Sequence, residues 1–522
     1  MTEIRPASTL VLVRDGPSGV EVLLLQRTRD AVFLPGFHVF PGGALCDADG
    51  DHPFATAALR ECFEEAGILP VRDHLGQVDV HVAPGTELRS RIDAGSLTLH
   101  DYCAERDLEP ATDALIYLGR WITPPGPPRR FDTRFFLARV PPGQEAFPDG
   151  TETVAHAWVT PEQALEQHLA GTRLFVPPTL STLRRLCGYT RCDSLMQSVA
   201  GEKPEEVPSQ PWPALNNGAA VEVMPGESGY DEVRFLDPRA RGTASLRIPV
   251  AEPVVLTDRV TRITAPNAGI MTGPGTNTYL IRDERGFMVV DPGPSDQGHL
   301  EQVLSETEGR VHHVLLTHTH PDHSPGAAFL QQRTGAAVVG LPAPELPEHH
   351  SEPAPDREPH DGLYIGYGSG QLRVLHTPGH AANHLAFLLE SEGLLFAGDL
   401  LMQDSTVVIS PPDGDMADYL ASLKRLLGEP VYWILPGHGQ LMGHPNAVFD
   451  YLITHRHVRE RKVLGALRAL GHADEKTLLA YVYDDVDSRI HPVAARSLHA
   501  HLLKLASEGR ASRHGDVWKL LD

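Results

Sequence analysis

The chain has 522 residues, 45 of them Lys or Arg and 68 Asp or Glu, for a formal net charge of -23. That excess of acid is unfavourable to nonspecific nucleic-acid binding, and no apolar run approaches the roughly 18 residues of a membrane span. Five cysteines (Cys46, Cys62, Cys103, Cys187, Cys192) without a CxxC pair argue against a disulfide framework and for a reducing, cytoplasmic setting. At about 150 residues per domain, the length predicts roughly three domains.

The opening residues, Met1-Thr2-Glu3-Ile4-Arg5-Pro6, lack a basic segment followed by an apolar core, so no secretory signal is expected. Leu520-Leu521-Asp522 is not a peroxisomal address. The first chemical signature is Arg60-Glu61-Cys62-Phe63-Glu64-Glu65-Ala66-Gly67-Ile68, downstream of Pro41-Gly42-Gly43. Its pattern predicts a helix over 54–66 stopped by Gly67, a good left-handed terminator. On that helix Glu61, Glu64 and Glu65 stand at i, i+3 and i+4 and share one face, while Leu59, Phe63 and Ala66 turn inward. Three carboxylates on one face repel each other unless a hard cation sits among them. Magnesium or manganese, completed by substrate phosphates, suits an all-oxygen set. A solvated acidic face is the alternative, and the upstream Gly-Gly loop favours the metal.

These residues resemble the signature of the Nudix hydrolase family, present here at Arg60, Glu61, Glu64, Glu65 and Gly67. Two features depart from it. Asp49 stands where the family has Glu, and the separation from Asp49 to Arg60 is longer, so the loop 46–53 carries an insertion. That insertion, Phe131-Asp132-Thr133-Arg134-Phe135-Phe136, and Trp158-Val159-Thr160-Pro161 with Ala164-Leu165 are similar to peroxisomal coenzyme A diphosphatases. The resemblance implies an α/β/α sandwich in which water attacks the pyrophosphate of a nucleoside-diphosphate-linked or coenzyme A substrate. Glu61, Glu64 and Glu65 would hold the metal, and Arg60 would orient them by ion pairing. Glu152 is a further ligand or base on position alone. The altered box also admits a lobe that binds a nucleotide without cleaving it. The expected limits are 1–240, including a loosely packed Pro- and Gly-rich stretch at 201–229.

The second signature is His318-Thr319-His320-Pro321-Asp322-His323, directly after the apolar run Val314-Leu315-Leu316. Imidazole and carboxylate are the ligands that a borderline-soft ion such as zinc prefers. Three later segments repeat the setting. Leu372–Leu375 leads to Thr377-Pro378-Gly379-His380, 393–396 to Gly398-Asp399, and 431–435 to Pro436-Gly437-His438-Gly439. Short apolar runs bounded by Gly and Pro read as buried strands, and in layered α/β folds ligands collect beyond the carboxyl ends of strands. Four strands ending in His or Asp therefore predict one shared metal site.

This half resembles the metallo-β-lactamase superfamily. The resemblance implies an αββα sandwich with two zinc ions: His318, His320 and His380 on the first, Asp322, His323 and His438 on the second, and Asp399 bridging. Such ions bring the pKa of a coordinated water from 15.7 to about 7, and Asp322 is the candidate to orient that water. His384 and Asp291 read as supports for the ligands. Within the superfamily, 252–280 and Ser410-Pro411-Pro412-Asp413-Gly414-Asp415 with Tyr419 resemble the branch of β-lactamase-like protein 2. That branch implies cleavage of single-stranded RNA; thioester or other small-ester hydrolysis is the competing reading.

Expected limits are 247–446 for this domain and 447–522 for a helical, winged-helix-like tail. Within 455–462, helical spacing puts the cations Arg456, Arg459 and Lys462 on one face, read first as a solvated surface and second as an RNA track. The loop 341–361, dense in Pro, Glu and His, reads as a surface loop before a lid. Taken together, the sequence predicts an α/β and α+β multidomain hydrolase with two metal centres and no membrane partner.

Overall fold

The computed structural model describes residues 3–31, 34–78, 86–201 and 208–521; the part of the Pro- and Gly-rich stretch at 202–207 lies outside them. The chain divides into two compact units. The first comprises Met1–Ala214, Ala220–Gly226 and Arg239–Thr243; the second comprises Leu215–Ala219, Glu227–Pro238 and Ala244–Asp522.

The first unit carries β1 (Ile4–Gly16), β2 (Gly19–Arg27), β3 (His38–Val39), β4 (Gly42–Ala44), α1 (Pro53–Ala66), β5 (Ile116–Ile122), β6 (Arg130–Arg139), β7 (Thr153–Val159), α2 (Pro161–Leu169), α3 (Pro177–Arg185) and α4 (Cys192–Ala200). Its sheet runs β3-β2-β1-β6-β5, with β4 added on β1 and β7 on β2. Side chains alternate between the two faces of a strand. Leu10, Leu12, Leu23 and Leu25 accordingly pack with Leu59, Cys62 and Phe63 of α1. Val11, Val13, Val22 and Leu24 pack on the other side with Leu183 and Leu195 of α3 and α4. The result is the expected α/β/α sandwich. α1 opens on Pro53 and stops at Gly67, whose φ of 72° is left-handed, an arrangement favoured at helix ends.

The second unit opens with α5 (Tyr230–Leu236) and continues through β8 (Pro253–Val255), β9 (Val260–Thr264), β10 (Asn277–Arg282), β11 (Phe287–Val290), α6 (Gln297–Glu306), β12 (Val311–Leu315), α7 (Gly326–Thr334) and β13 (Ala337–Val339). There follow β14 (Tyr364–Ile365), β15 (Leu372–His376), β16 (Leu385–Leu389), β17 (Leu394–Gly398), α8 (Met416–Leu426), β18 (Trp433–Pro436) and α9 (Pro445–Leu470). Two sheets form in sequence order, β8 to β13 and β14 to β18. Tyr279, Val290, Val374, Phe387 and Phe396 fill the space between them. Leu280, Val289 and Val314 turn outward onto α6 and α7, and Leu388, Leu395 and Ile434 onto α8 and α9. Strands covered on both faces need continuous apolar runs; β16 and β17 are buried at every residue. This is the αββα sandwich.

The tail supplies β19 (His472–Asp474), α10 (Glu475–Val482), α11 (His491–Ser507), β20 (Ala511–His514) and β21 (Val517–Leu520), with a β19-β21-β20 sheet. Its own core gathers Val463, Leu478, Leu498, Leu502 and Trp518. Among the described residues, no helix is long and apolar enough to cross a membrane.

The limit expected at 240 does not match the contacts of α5. Glu232 makes a bidentate pair with Arg262 of β9 at 2.6 and 2.9 Å and accepts the Leu441 amide at 2.8 Å. Phe235 stacks edge-on against Trp433, with ring centroids 4.9 Å apart. α5 is therefore part of the second unit, through a pairing that no local sequence pattern announces. Both charged side chains of the pair are 2% exposed or less. Glu232→Ala strands the guanidinium in the interior and is expected to cost about 3–5 kcal/mol, read as a lower urea midpoint and faster hydrogen exchange in β9 and β10.

Candidate metal centre

The sequence-predicted ligands gather beyond the carboxyl ends of β12, β15, β17 and β18, as two groups. In the first, His320 Nδ1 lies 2.9 Å from His318 Nε2 and 3.2 Å from His380 Nε2. In the second, Asp322 Oδ2 lies 3.1 Å from His438 Nε2 and 3.6 Å from His323 Nε2. Asp399 faces both. Its Oδ1 is 3.3 Å from His323 Nε2 and 3.4 Å from His438 Nε2, while its Oδ2 is 3.7 Å from His380 Nε2. Three donor atoms in the first group, and four in the second with Asp399 counted there, lie inside 4.8 Å of one another.

Protons on the outer ring nitrogens explain why lone pairs face inward. His323 Nδ1 donates to Asp291 at 2.9 Å, His380 Nδ1 to the Val408 carbonyl at 2.8 Å, and His438 Nδ1 to the Gly275 carbonyl at 3.2 Å. Thr317 gives its hydroxyl proton to Asp291 at 2.6 Å, so the hydroxyl accepts from His318 Nδ1 at 3.0 Å. Each of these four rings thereby directs its second nitrogen at the cluster, a lone pair for a cation once no proton occupies it. The inner atoms His323 Nε2, His438 Nε2 and Asp399 Oδ1 are buried without a hydrogen-bond partner. Buried polar atoms are normally paired, so orphans converging on one point fit a cation.

Electrostatics agree. Burial alone would lower His438 and His323, but Asp399 and Asp322 push His438 up to about 9 and, with Asp291, hold His323 well above its usual range. Burial opposes ionisation of Asp399, yet His438 and His323 keep it well below the ordinary carboxylate range. Burial, reinforced by neighbouring imidazoles, pushes His318 well down and His384 to about 3. A cation entering here displaces protons from the second group, so uptake is opposed by acid. Gly437 allows the approach: a Cβ there would stand 2.5 Å from Asp399 Oδ1.

His384 and Asp291 sit behind the ligands, as expected: His384 Nε2 accepts the Asp399 amide at 3.2 Å. Sequence reasoning missed two neighbours. Asp413 Oδ2 lies 3.5 Å from His320 Nε2, on the ring's far side, and His349 lies against Asp413. The loop 341–361 thus returns to the site rather than staying on the surface. The spacing from His349 to His320 carries no local signal, whereas Asp413 stands in the Ser410-Pro411-Pro412-Asp413-Gly414-Asp415 segment.

The cations of α9 correct the sequence reading more sharply. Arg456 is 2% exposed and donates to the Val407 carbonyl at 2.6 Å. Arg459 is buried too and donates to the Val482 carbonyl and Asp485, and Lys462 pairs with Asp484. A solvated or RNA-facing stripe needs free cations; two of these three turn inward, because that face of α9 packs against the body and the tail.

In the first unit, Arg60 is a hub. It pairs with Asp49 at 2.9 Å, Glu61 at 2.8 Å and Glu64 at 3.0 Å, and donates to the Ala44 carbonyl at 2.8 Å. Asp49, the altered box residue, is fully buried and also accepts the Cys46 amide at 2.8 Å. Glu65 turns away to accept the Gly42 amide at 3.0 Å. Glu61, Glu64 and Glu65 are therefore not drawn to a single point; the guanidinium holds two and the glycine loop the third. Burial, then the charge of Glu61, raises Glu65, and Glu152 adds to both. An acidic cluster with raised carboxyls is suited to a hard cation.

The fold and the two acid- and imidazole-lined centres define a metal-dependent hydrolase. Residues 271–438 match the metallo-beta-lactamase superfamily, 49–186 the NUDT19 Nudix domain, and 476–518 the beta-lactamase associated winged helix domain. A beta-lactamase-like protein 2 homolog of Drosophila melanogaster is 31% identical over 284 residues, covering 50% of this chain and 93% of that protein. An atrochrysone carboxyl ACP thioesterase of Paecilomyces divaricatus is 27% identical, over 51% of this chain and 84% of that protein. A crystal structure of a NUDIX hydrolase from Alicyclobacillus acidocaldarius is 33% identical over 39% of this chain and 100% of its own, with a TM-score of 0.36. The chain belongs to the metallo-β-lactamase superfamily, in a form that also carries a Nudix domain and the associated winged helix.

Asp399→Ala removes an oxygen from both groups and is expected to leave less than about one ion per chain by elemental analysis, whereas His318→Ala strips only the first group.

Proposed function

We propose that the second unit hydrolyses a small acyl thioester at a pair of zinc ions, and that the first cleaves a pyrophosphate in a nucleoside-diphosphate-linked or coenzyme A substrate with magnesium or manganese. The observation that carries the first reading is Asp399, which directs one oxygen to each ligand group. His318, His320 and His380 would hold one ion, Asp322, His323 and His438 the other, and Asp399 would touch both. The ions would supply Lewis acidity and a nucleophilic water near neutral pH.

Among the carboxylates of this cluster, the Asp322 side chain reaches solvent most, at 26% exposed against 11% for Asp399. It is the group to orient the incoming water and take its proton. A thiol, with an unperturbed pKa of about 8.5, leaves as a thiolate without a strong acid beside it. Three observations favour a thioester over RNA: the net charge of -23, the inward-facing cations of α9, and the relative named a carrier-protein thioesterase. In the first unit, Arg60 would hold Glu61 and Glu64 in register, and a bound cation would have to draw Glu65 off the Gly42 amide to join them, with Glu152 as a further oxygen. The five cysteines are all free thiols, in keeping with a reducing cytoplasm.

The test is a panel of acyl-coenzyme A, single-stranded RNA and nucleotide-sugar or coenzyme A substrates, with zinc or magnesium alone. His320→Ala is expected to lower thioester turnover by at least about a hundredfold and leave pyrophosphatase intact; Glu64→Gln should do the reverse. RNA cleavage lost with His320, beside inert thioesters, would overturn the substrate. Joint loss of both activities in either variant would overturn separate centres.

A further inference from the structure

The loop 341–361 reaches the first ligand group through one side chain. The His349 side chain is fully buried, its ring 4.8 Å from that of His320 and tilted by 33°. Its Nδ1 lies 2.7 Å from the Thr319 hydroxyl, which also accepts from Asn383 Nδ2 at 2.8 Å. A hydroxyl has one proton to give. With Asn383 on one lone pair, Thr319 still has its proton for His349 Nδ1, and the carboxylate facing Nε2 favours the tautomer in which the imidazole proton sits on Nε2. That nitrogen lies 3.0 Å from Asp413 Oδ2, the same oxygen that faces His320 Nε2 at 3.5 Å. The other oxygen, Oδ1, accepts the Ala382 amide at 2.9 Å. The next residue of the loop is pinned as well, since the His350 amide donates to the Thr319 carbonyl at 2.7 Å.

We propose that His349 is a positioning residue for the first metal group, acting through Asp413 on His320, so that the loop 341–361 is a strap whose seating sets that group's affinity for its ion. Asp413 keeps the His320 proton on Nε2 and leaves Nδ1 as the lone pair that faces His318 and His380. His349 fixes the Asp413 oxygen in that line and seals it from water. Without His349 the carboxylate is free to rotate and hydrate, and His320 loses its preferred tautomer. The inference rests on the dinuclear reading proposed above.

His320, His349 and Asp413 also lie within 4.8 Å of one another through one donor atom each, so a third cation is the rival explanation, and ion counting separates the two. The experiment measures zinc stoichiometry and chelator-competed affinity in the whole protein, with kcat and KM for the active substrate, for His349→Ala, His349→Gln and Asp413→Asn. For His349→Ala and Asp413→Asn, affinity at one of the two sites is expected to fall about 10–100-fold, with kcat falling in parallel and KM within about twofold. The unfolding midpoint of the metal-free protein should not move, which a merely structural role would not allow. His349→Gln, whose amide can accept from Thr319 and donate to Asp413, should recover most of the loss. Parental affinity at both sites in His349→Ala and Asp413→Asn would overturn the proposal. So would a third ion in the parent that His349→Ala releases. A parent that binds no zinc at all would instead remove the dinuclear reading beneath it.

Discussion

Lone pairs converging on a small volume are the constraint on which the second unit is organised. Five imidazole nitrogens and two carboxylates approach one another across gaps of 2.9 to 3.7 Å, and the outer nitrogens of four of the rings already give their protons to Asp291, Thr317, Val408 and Gly275. Positive charge has to come from protons held against burial or from cations. The rest of the site follows from delivering these groups together: strand ends that point the same way, a glycine at 437 where a side chain would strike Asp399, and outer partners that fix each ring.

The tail is part of this arrangement. Arg456 on α9 donates to the Val407 carbonyl, and the next carbonyl, that of Val408, receives the proton of His380. The segment carrying His380's partner is thus held from behind by a helix that runs on into the winged-helix core. Ala500 of α11 joins the apolar layer outside β15 to β18. A buried guanidinium is tolerated only when its donors find acceptors, and this one finds a carbonyl next to the site. The cations that a sequence reader assigns to a surface are, in part, internal braces.

The two centres divide along ligand chemistry. In the first unit the donors are carboxylates arranged around Arg60, and Asp49 reaches the guanidinium while accepting the Cys46 amide. Oxygen-only sets suit hard ions that keep phosphate and water as partners. In the second unit, imidazoles predominate and suit zinc. Each unit has its own core and its own donor set.

What was legible in the sequence was local. His318, His320, Asp322 and His323 are near neighbours in the chain, and His380, Asp399 and His438 each follow an apolar run closed by glycine, so strand, turn and ligand are written within a few residues. α1 likewise announces itself by its period, Pro53 and Gly67. The allegiance of α5, the burial of Arg456 and Arg459, and the meeting of His349 with Asp413 were decided only by the tertiary structure. Each joins residues tens to hundreds of positions apart, and a charged or imidazole side chain has the same local pattern whether it faces water or a buried partner. Periodicity and turn chemistry report the conformation of a segment; which surfaces then pack, and which polar groups must find one another once water is excluded, depends on the whole fold.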